Sequence, residues 1–313
     1  MTRKFERDAI DQKFYDYLTE TLGDLLQKDL QDYVCVATGY LGPVPGGIVG
    51  TIGRGYTDLT AALIAVGISA SELQIWKEVD GIYTADPRKV PRAQKIHSIT
   101  PEEAAELTYY GSEVIHPFTM EQVIRASIPI RIKNTFKPEG LGTLIVPEGH
   151  RLHIKPESTI RQPTAVTIKD NVIVLNVHSN RKSVSHGFLA QIFLTLDKYG
   201  IVVDLISTSE VHISIALNPS ISRDKLDRAL TDLKKYGDAS VMHNMAILSL
   251  VGMDMRNMVG VASNMFSTLA RHKVNIEMIS QGASEINISC VIDEEHANIA
   301  LRAIHDEILL SPQ

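Results

Sequence analysis

TIGRGYTDLTAALIAVG, Thr51 to Gly67, sets two glycines around an arginine, follows them with Tyr56, Thr57 and Asp58, and then runs into an apolar stretch of helical character. Glycines permit positive φ and let the backbone approach a ligand closely. Thr57 or Asp58 is suited to cap the helix, whose free N–H groups and positive dipole end favour an anion. Arg54, held between Gly53 and Gly55, can take a carboxylate or phosphate in a two-point grip. The stretch is not a P-loop, because G-x-x-x-x-G-K-[ST] is absent, and Asp58 stands where a dinucleotide fingerprint needs its third glycine. On composition alone, an ordinary turn with a surface arginine remains open.

On the amino-terminal side, apolar residues recur at helical spacing from Ala9 to Leu30, through Ile10, Phe14, Tyr17, Leu18, Leu22, Leu25 and Leu26. A short strand is predicted over Tyr33-Val34-Cys35-Val36-Ala37, then a turn-rich GYLGPVPGG segment and a second strand near Ile48. Beyond the helix that follows Asp58, Leu73-Gln74-Ile75-Trp76 reads as a strand and Thr100-Pro101-Glu102-Glu103 as a helix start. Ile128-Pro129-Ile130-Arg131-Ile132 reads as one more strand. Helices alternating with apolar strands predict a mainly parallel α/β layer. A second polar cluster, Trp76 to Arg88 (WKEVDGIYTADPR), lies beyond the carboxyl end of a predicted parallel strand, where open α/β sheets bind ligands. Lys77 and Arg88 are suited to phosphates there, and Tyr83 to a purine.

From Val146 to Thr164 the chain turns polar and proline-containing without a sustained period, as a linker would. After it the sequence repeats. Gly187, Phe193, Leu196, Ile206 and Ser207 recur as Gly260, Phe266, Leu269, Ile279 and Ser280. Ser209-Glu210-Val211-His212-Ile213-Ser214 returns as Ser284-Glu285-Ile286-Asn287-Ile288-Ser289. Each copy reads strand, glycine turn, helix, strand, strand, helix, which predicts two small α+β modules produced by duplication.

Composition narrows the function classes. The 313 residues are 44% hydrophobic and 22% charged, with a net charge of -6 and no long basic run, so nucleic acid and anionic membranes gain no support as partners. No apolar run reaches the roughly 18 residues of a membrane span, and MTRKFERDAI lacks the apolar core of a signal peptide. Cys35 and Cys290, both in apolar strand-like runs, are expected to be buried free thiols of a cytoplasmic protein.

Together, TIGRGYTDLTAALIA, WKEVDGIYTADPRKV and ELTYYGSEVIHPFTMEQVIRASIPIRI closely resemble the aspartate kinases, above all their fungal form, from about Phe14 to Leu310. The tandem modules resemble the pair of ACT domains that these enzymes carry. The resemblance implies a partial amino-acid kinase fold, α/β with flanking helices, over residues 1–145, a linker over 146–164, and two ferredoxin-like ACT domains over 165–240 and 241–313. It implies transfer of the γ-phosphoryl group of Mg2+-bound ATP to the side-chain carboxylate of L-aspartate. Both reactants are anions, so positioning and charge neutralisation carry the chemistry. By similarity, Arg54 clamps a carboxylate of aspartate, Thr57 and Asp58 organise the reacting region, and Thr51 and Gly53 lie near the phosphates. Lys77, Glu78, Tyr83 and Arg88 line the nucleotide pocket, with Asp86 and Pro87 shaping its loop. No metal ligand set of the protein's own is implied. His116 reads as a structural histidine more readily than as a base, and Glu113 stands where many bacterial relatives carry a lysine.

In the ACT pair the effector-binding positions by similarity are Ser185, His186, Gly187, Phe188, Asp204, Ser209 and Glu210 in the first copy. In the second they are Asn275, Ile276, Gln281 and Asn287. Gly187 opens a helix whose N–H groups can receive an amino acid's carboxylate, while Asp204 or Glu210 can take its ammonium. Threonine is the effector that the fungal resemblance implies, within a homo-oligomer paired through the ACT domains; dimerisation without sensing is the plainer alternative.

The likeness departs at the start, where the family has a strand and a Lys-Phe-Gly-Gly-Thr turn and this chain has Lys4-Phe5-Glu6-Arg7. Glutamate and arginine cannot replace glycines that let N–H groups reach a phosphate. The expectation is therefore a chain lacking that portion of the catalytic domain and poorly active alone, a fragment or short form of the enzyme. A non-catalytic, amino-acid-binding regulatory subunit is the alternative.

Overall fold

The computed structural model describes residues 11–30, 32–44, 55–110, 115–146, 162–179, 187–218, 220–282 and 286–310. Two units divide the chain: Met1–Thr84 with Gln94–Thr159, and Ala85–Ala93 with Ile160–Gln313.

In the first unit the amphipathic run forms α1 (Gln12–Gln27), whose N-cap Asp11 accepts from the Phe14 amide. α2 (Tyr56–Gly67) crosses α1 where both carry glycine: a Cβ on Gly23 would stand 2.4 Å from the Gly67 carbonyl oxygen. β1 (Leu73–Lys77), β2 (Ser98–Ile99), α3 (Pro101–Tyr109), α4 (Pro117–Arg125), β3 (Ile130–Asn134) and β4 (Thr143–Ile145) follow. The sheet order is β1-β3-β4-β2. β1 pairs with β3 and β2 with β4 in parallel, while β3 and β4 run antiparallel, so the layer is mixed. Along β1, Leu73 and Ile75 point to the core and Gln74 and Trp76 outward.

Two local segments differ from expectation. Tyr33-Val34-Cys35-Val36-Ala37 belongs to neither sheet; Val34 and Val36 are 93% and 94% exposed, and Cys35 is only half-buried. Valines favour a strand only where a neighbouring strand pairs with them. The third strand starts at Ile130, after Ile128 and Pro129 have turned out of the preceding helix. The strand expected near Ile48 lies outside the described residues, as does 147–161 of the expected linker.

The second unit repeats one motif. β5 (Ala165–Ser179), α5 (Phe188–Lys198), β6 (Val203–Thr208), β7 (His212–Leu217) and α6 (Arg223–Leu233) form the first copy. β8 (Gly237–Val251), α7 (Val261–Arg271), β9 (Met278–Ser280), β10 (Asn287–Asp293) and α8 (Ala297–Ile304) form the second. Gly187 and Gly260 precede α5 and α7 with φ of 81° and 88°, a left-handed conformation that suits glycine. Six antiparallel strands lie in the order β6-β7-β5-β8-β10-β9. The edges β6 and β9 lie close to each other.

Among its described residues the second unit has two cores. Leu175, Val177, Ile192, Ile213 and Leu233 lie in one, Val166, Ile168, Leu248, Met265, Ile288 and Leu301 in the other. The long strands β5 and β8 serve both: the amino-terminal half of β5 belongs to the second core, and Ala239 and Val241 of β8 pack on the first. Ala85 and Val90 of the short excursion Ala85–Ala93 are buried in the second core. Among the described residues no helix is long and apolar enough to cross a membrane.

Candidate functional site

In the first unit the polar groups converge at the start of α2 and the carboxyl ends of β1 and β3. α2 begins at Tyr56 with Gly55 as N-cap and no side-chain cap, so neither Thr57 nor Asp58 caps it. The early start places Asp58 in the first turn, where its charge complements the helix dipole. Its carboxylate accepts from Lys77 Nζ at 2.9 Å, at the end of β1. The Thr60 hydroxyl donates to the Gly39 carbonyl at 2.8 Å, fastening the turn-rich segment against α2, and Thr57 packs on Gly39. His116 caps α4, its Nδ1 accepting from the Phe118 amide at 3.2 Å, which fits its structural reading. A Cβ on Gly55 would meet His116 Cβ at 2.8 Å, so the histidine backs the approach to α2.

Lys77 and Asn134 are paired in register at the ends of β1 and β3. Between the loops beyond them stands Asp80, which accepts from Asn134 Nδ2 at 2.6 Å and Lys137 Nζ at 2.8 Å, with the Tyr83 hydroxyl at 3.4 Å. Hydrogen bonds from Lys137 and Asn134 hold the Asp80 carboxyl below its usual range. Partial burial, then the charge of Asp80, raises the Tyr83 phenol. Asp80, Asn134 and Lys137 were not among the expected site residues. Their position just past parallel strand ends was the available signal. Glu78 is exposed beside them.

Asp86 and Arg88 belong to the second unit. Arg88 donates through Nε and Nη2 to both oxygens of Asp86, at 3.0 and 2.9 Å, and these bonds hold the Asp86 carboxyl low. Arg88 is 88% exposed, so the pair is weak and the guanidinium can exchange partners. Thr51, Gly53, Arg54 and Glu113 lie outside the described residues. A cleft of about 340 Å³ between α1, residues 35–39 and α2 touches Thr57 and Thr60 but is lined chiefly by Leu26, Ala61, Ile64 and Ile68. Its apolar walls do not suit an anion.

In the second unit Asp204 on β6 accepts from Lys169 Nζ of β5 at 2.8 Å, with both side chains mostly buried. Its carboxylate is thus paired with a lysine in this structure. Ser209 and Glu210 form the exposed turn from β6 to β7, where the Ser209 amide donates to the His212 carbonyl. Gly187 and Phe188 stand at the start of α5. Asn275 donates to Glu277 at 2.6 Å, Ile276 packs on the second core, Gln281 follows β9, and buried Asn287 opens β10. β6, which carries Asp204, lies close to β9, which Asn275 and Ile276 precede and Gln281 follows. Ser185 and His186 lie outside the described residues.

Residues 4–134 match the amino acid kinase family model and residues 248–308 an ACT domain model. The sequence is 56% identical to the aspartokinase of Candida albicans, over 96% of this chain and 60% of that protein. It is 53% identical to the aspartokinase of Saccharomyces cerevisiae, over 97% of this chain and 62% of that protein. The chain therefore spans about three fifths of the length of these curated relatives. Among solved structures, E. coli aspartokinase III in complex with aspartate and ADP (R-state) is similar with a TM-score of 0.79 and 32% identity, over 94% of this chain and 65% of that one. The same enzyme in complex with lysine and aspartate (T-state) gives 0.75 and 33%, over 94% and 64%.

Proposed function

The chain belongs to the aspartate kinase family, and on that premise we propose that it serves phosphoryl transfer from ATP to the side-chain carboxylate of L-aspartate, giving 4-phospho-L-aspartate. The observation that carries this reading is the Asp58–Lys77 pair, set where the start of α2 meets the carboxyl ends of two parallel strands. In the resting state the pair neutralises itself. An incoming phosphate takes the lysine as its counter-charge, and Asp58 is released to orient the reacting groups. Arg54 clamps an aspartate carboxylate and Thr57 helps to organise it. Thr51 and Gly53 face the phosphates of ATP, which arrives with Mg2+ as the substrate complex. Lys77, Glu78 and Tyr83 line the nucleotide side, and Asp86 and Arg88 add to it by similarity. Asp80, Asn134 and Lys137 brace the loop that carries Tyr83.

We infer further that the repeats, residues 165–240 and 241–313, are the regulatory region, joined by residues 146–164 to the kinase region of residues 1–145. There Gly187, Phe188, Asp204, Ser209, Glu210, Asn275, Ile276, Gln281 and Asn287, with Ser185 and His186, receive an amino acid, threonine by the fungal likeness. The protein works in the cytoplasm as a homo-oligomer paired through these repeats, at the first step towards threonine, methionine and isoleucine. Effector binding shifts the population towards a form that holds aspartate or ATP poorly.

The test is ADP release by the purified 313 residues with Mg2+-ATP, with and without aspartate. Release is measured for these residues alone and together with the part of a fungal relative that the match leaves uncovered. Arg54→Ala is expected to lower aspartate-dependent turnover about 100-fold or more. Absence of aspartate-dependent release under both conditions would overturn the reading, as would an unaffected Arg54→Ala variant.

A further inference from the structure

The excursion Ala85–Ala93 departs from the first unit and returns to it, yet its side chains belong to the second. Its base is pinched shut. The Thr84 amide donates to the Gln94 carbonyl, the Gln94 amide to the Thr84 hydroxyl, and the Ile96 amide to the Ile82 carbonyl, at 2.8–2.9 Å. Beyond the pinch, the Lys89 and Val90 amides donate to the Asp86 carbonyl and close a helical turn. Val90 and Ala85, both nearly fully buried, sit in the core with Leu248, Ile288, Leu301 and Ile304. Arg302 of α8 donates to the Lys89 carbonyl at 2.8 Å, and Lys89 Nζ donates to Asp170 Oδ2 at 2.5 Å.

Asp170 adjoins Lys169, the partner of Asp204. Both belong to an irregular stretch of β5, where the pairing with β8 shifts register between Lys169 and Val172 and Asn171 takes φ 61°. Two consecutive side chains at one bulge thus hold two ion pairs. One reaches Asp204 among the proposed effector positions, and the other reaches the excursion. Bulged backbone is a place where small displacements re-aim side chains.

We propose that the Lys169–Asp170 bulge and the Ala85–Ala93 strap form the line along which a bound amino acid alters the loop bearing Tyr83. An effector's ammonium competes with Lys169 for Asp204, and the freed lysine moves the bulge. Asp170 then changes its hold on Lys89, and the covalent chain carries the change through Thr84 into the Asp80–Tyr83 loop. This rests on the amino-acid-sensing reading of Asp204 given above. Coupling of this kind is reciprocal, so a ligand that orders the Asp80–Tyr83 loop changes amino-acid affinity by the same factor.

The experiment uses the whole chain, with L-threonine and L-lysine as probes. Binding is followed by calorimetry, and backbone hydrogen exchange is read at Thr84, Gln94 and Ile96. Binding of either probe is expected to change exchange at these amides about fivefold or more. In Lys89→Met, which keeps the aliphatic stem, binding is expected to persist within about threefold while the exchange response disappears. Asp204→Asn is expected to lose binding itself. Binding without any change at the pinch, or an undiminished response in Lys89→Met, would overturn the strap while leaving sensing intact. If neither amino acid produced heat, the sensing reading and the strap would both fall. Should Lys89→Met unfold, as shown by lost protection of the Ile288 and Val291 amides in β10, Arg302→Gln provides the same comparison by removing the bond to the Lys89 carbonyl.

Discussion

Cys290 shows how far a single residue's behaviour follows from its surroundings. It is fully buried in the second core, and burial pushes its thiol up to about 12. The thiolate is the reactive species, so this group is inert to thiol reagents in the folded protein. A disulfide reagent at pH 8 is expected to label one thiol of the native chain, Cys35, and two after unfolding. Rapid labelling of both in the native state would contradict the burial. The same shift makes a pH prediction. Because the folded value lies above the ordinary 9, the stabilisation from the buried neutral thiol is complete below about 9 and is lost as pH rises through about 12. The positions of Asp58 and Lys77 at a helix start and a strand end were legible in sequence. Their partners were not. Asp80 finds Asn134 and Lys137 more than fifty positions away, and Asp204 finds Lys169 across the sheet. Such pairings follow from topology, which local pattern does not encode.

α3 had complete local signals and was read correctly, whereas the strand expected over Tyr33–Ala37 depended on a neighbour. α3 carries its own start: Thr100 accepts from the Glu103 amide, Glu103 accepts from the Thr100 amide, and Pro101 needs no donor. Thr100 and Glu103 are fully buried, so losing this reciprocal cap leaves polar groups without water. Thr100→Ala is expected to lower the stability of the first unit by about 1–2 kcal/mol, and Thr100→Ser by much less. Trp76, the chain's single tryptophan, sits on β1 and reports that unit's urea transition by fluorescence. An unchanged midpoint for Thr100→Ala would mean that the cap contributes nothing. The stretch Tyr33–Ala37 has the composition of a strand but pairs with no strand among the described residues, because β propensity expresses packing against neighbours. The duplication was legible for the opposite reason: each copy's glycine, helix and strands are specified within about 70 residues, and Gly187 and Gly260 adopt the same left-handed turn.

At the scale of the whole molecule, the two copies are less separate than their sequence repeat implies. Residues 165–240 and 241–313 divide the repeat tidily, yet Val166 and Ile168 of the first range lie in the second core, while Val241 of the second packs on the first. Because β5 and β8 are each 15 residues long and pair along their length, the two cores share one pair of strands. Neither core can lose these strands while the other keeps its full sheet. The repeats should therefore open as one cooperative body, not as beads on a string. Leu175 tests this, since it is fully buried in the first core. Leu175→Ala is expected to cost about 2–5 kcal/mol through lost burial and the cavity left behind. Under shared opening, hydrogen-exchange protection of the Cys290 and Val291 amides in β10 falls by the same free energy as that of Ile213 and Ile215 in β7. Independent modules would instead lose protection in β7 and keep it in β10. Under the proposed sensing reading, an amino acid held at β6 would bias the same cooperative body that grips Val90 and Lys89.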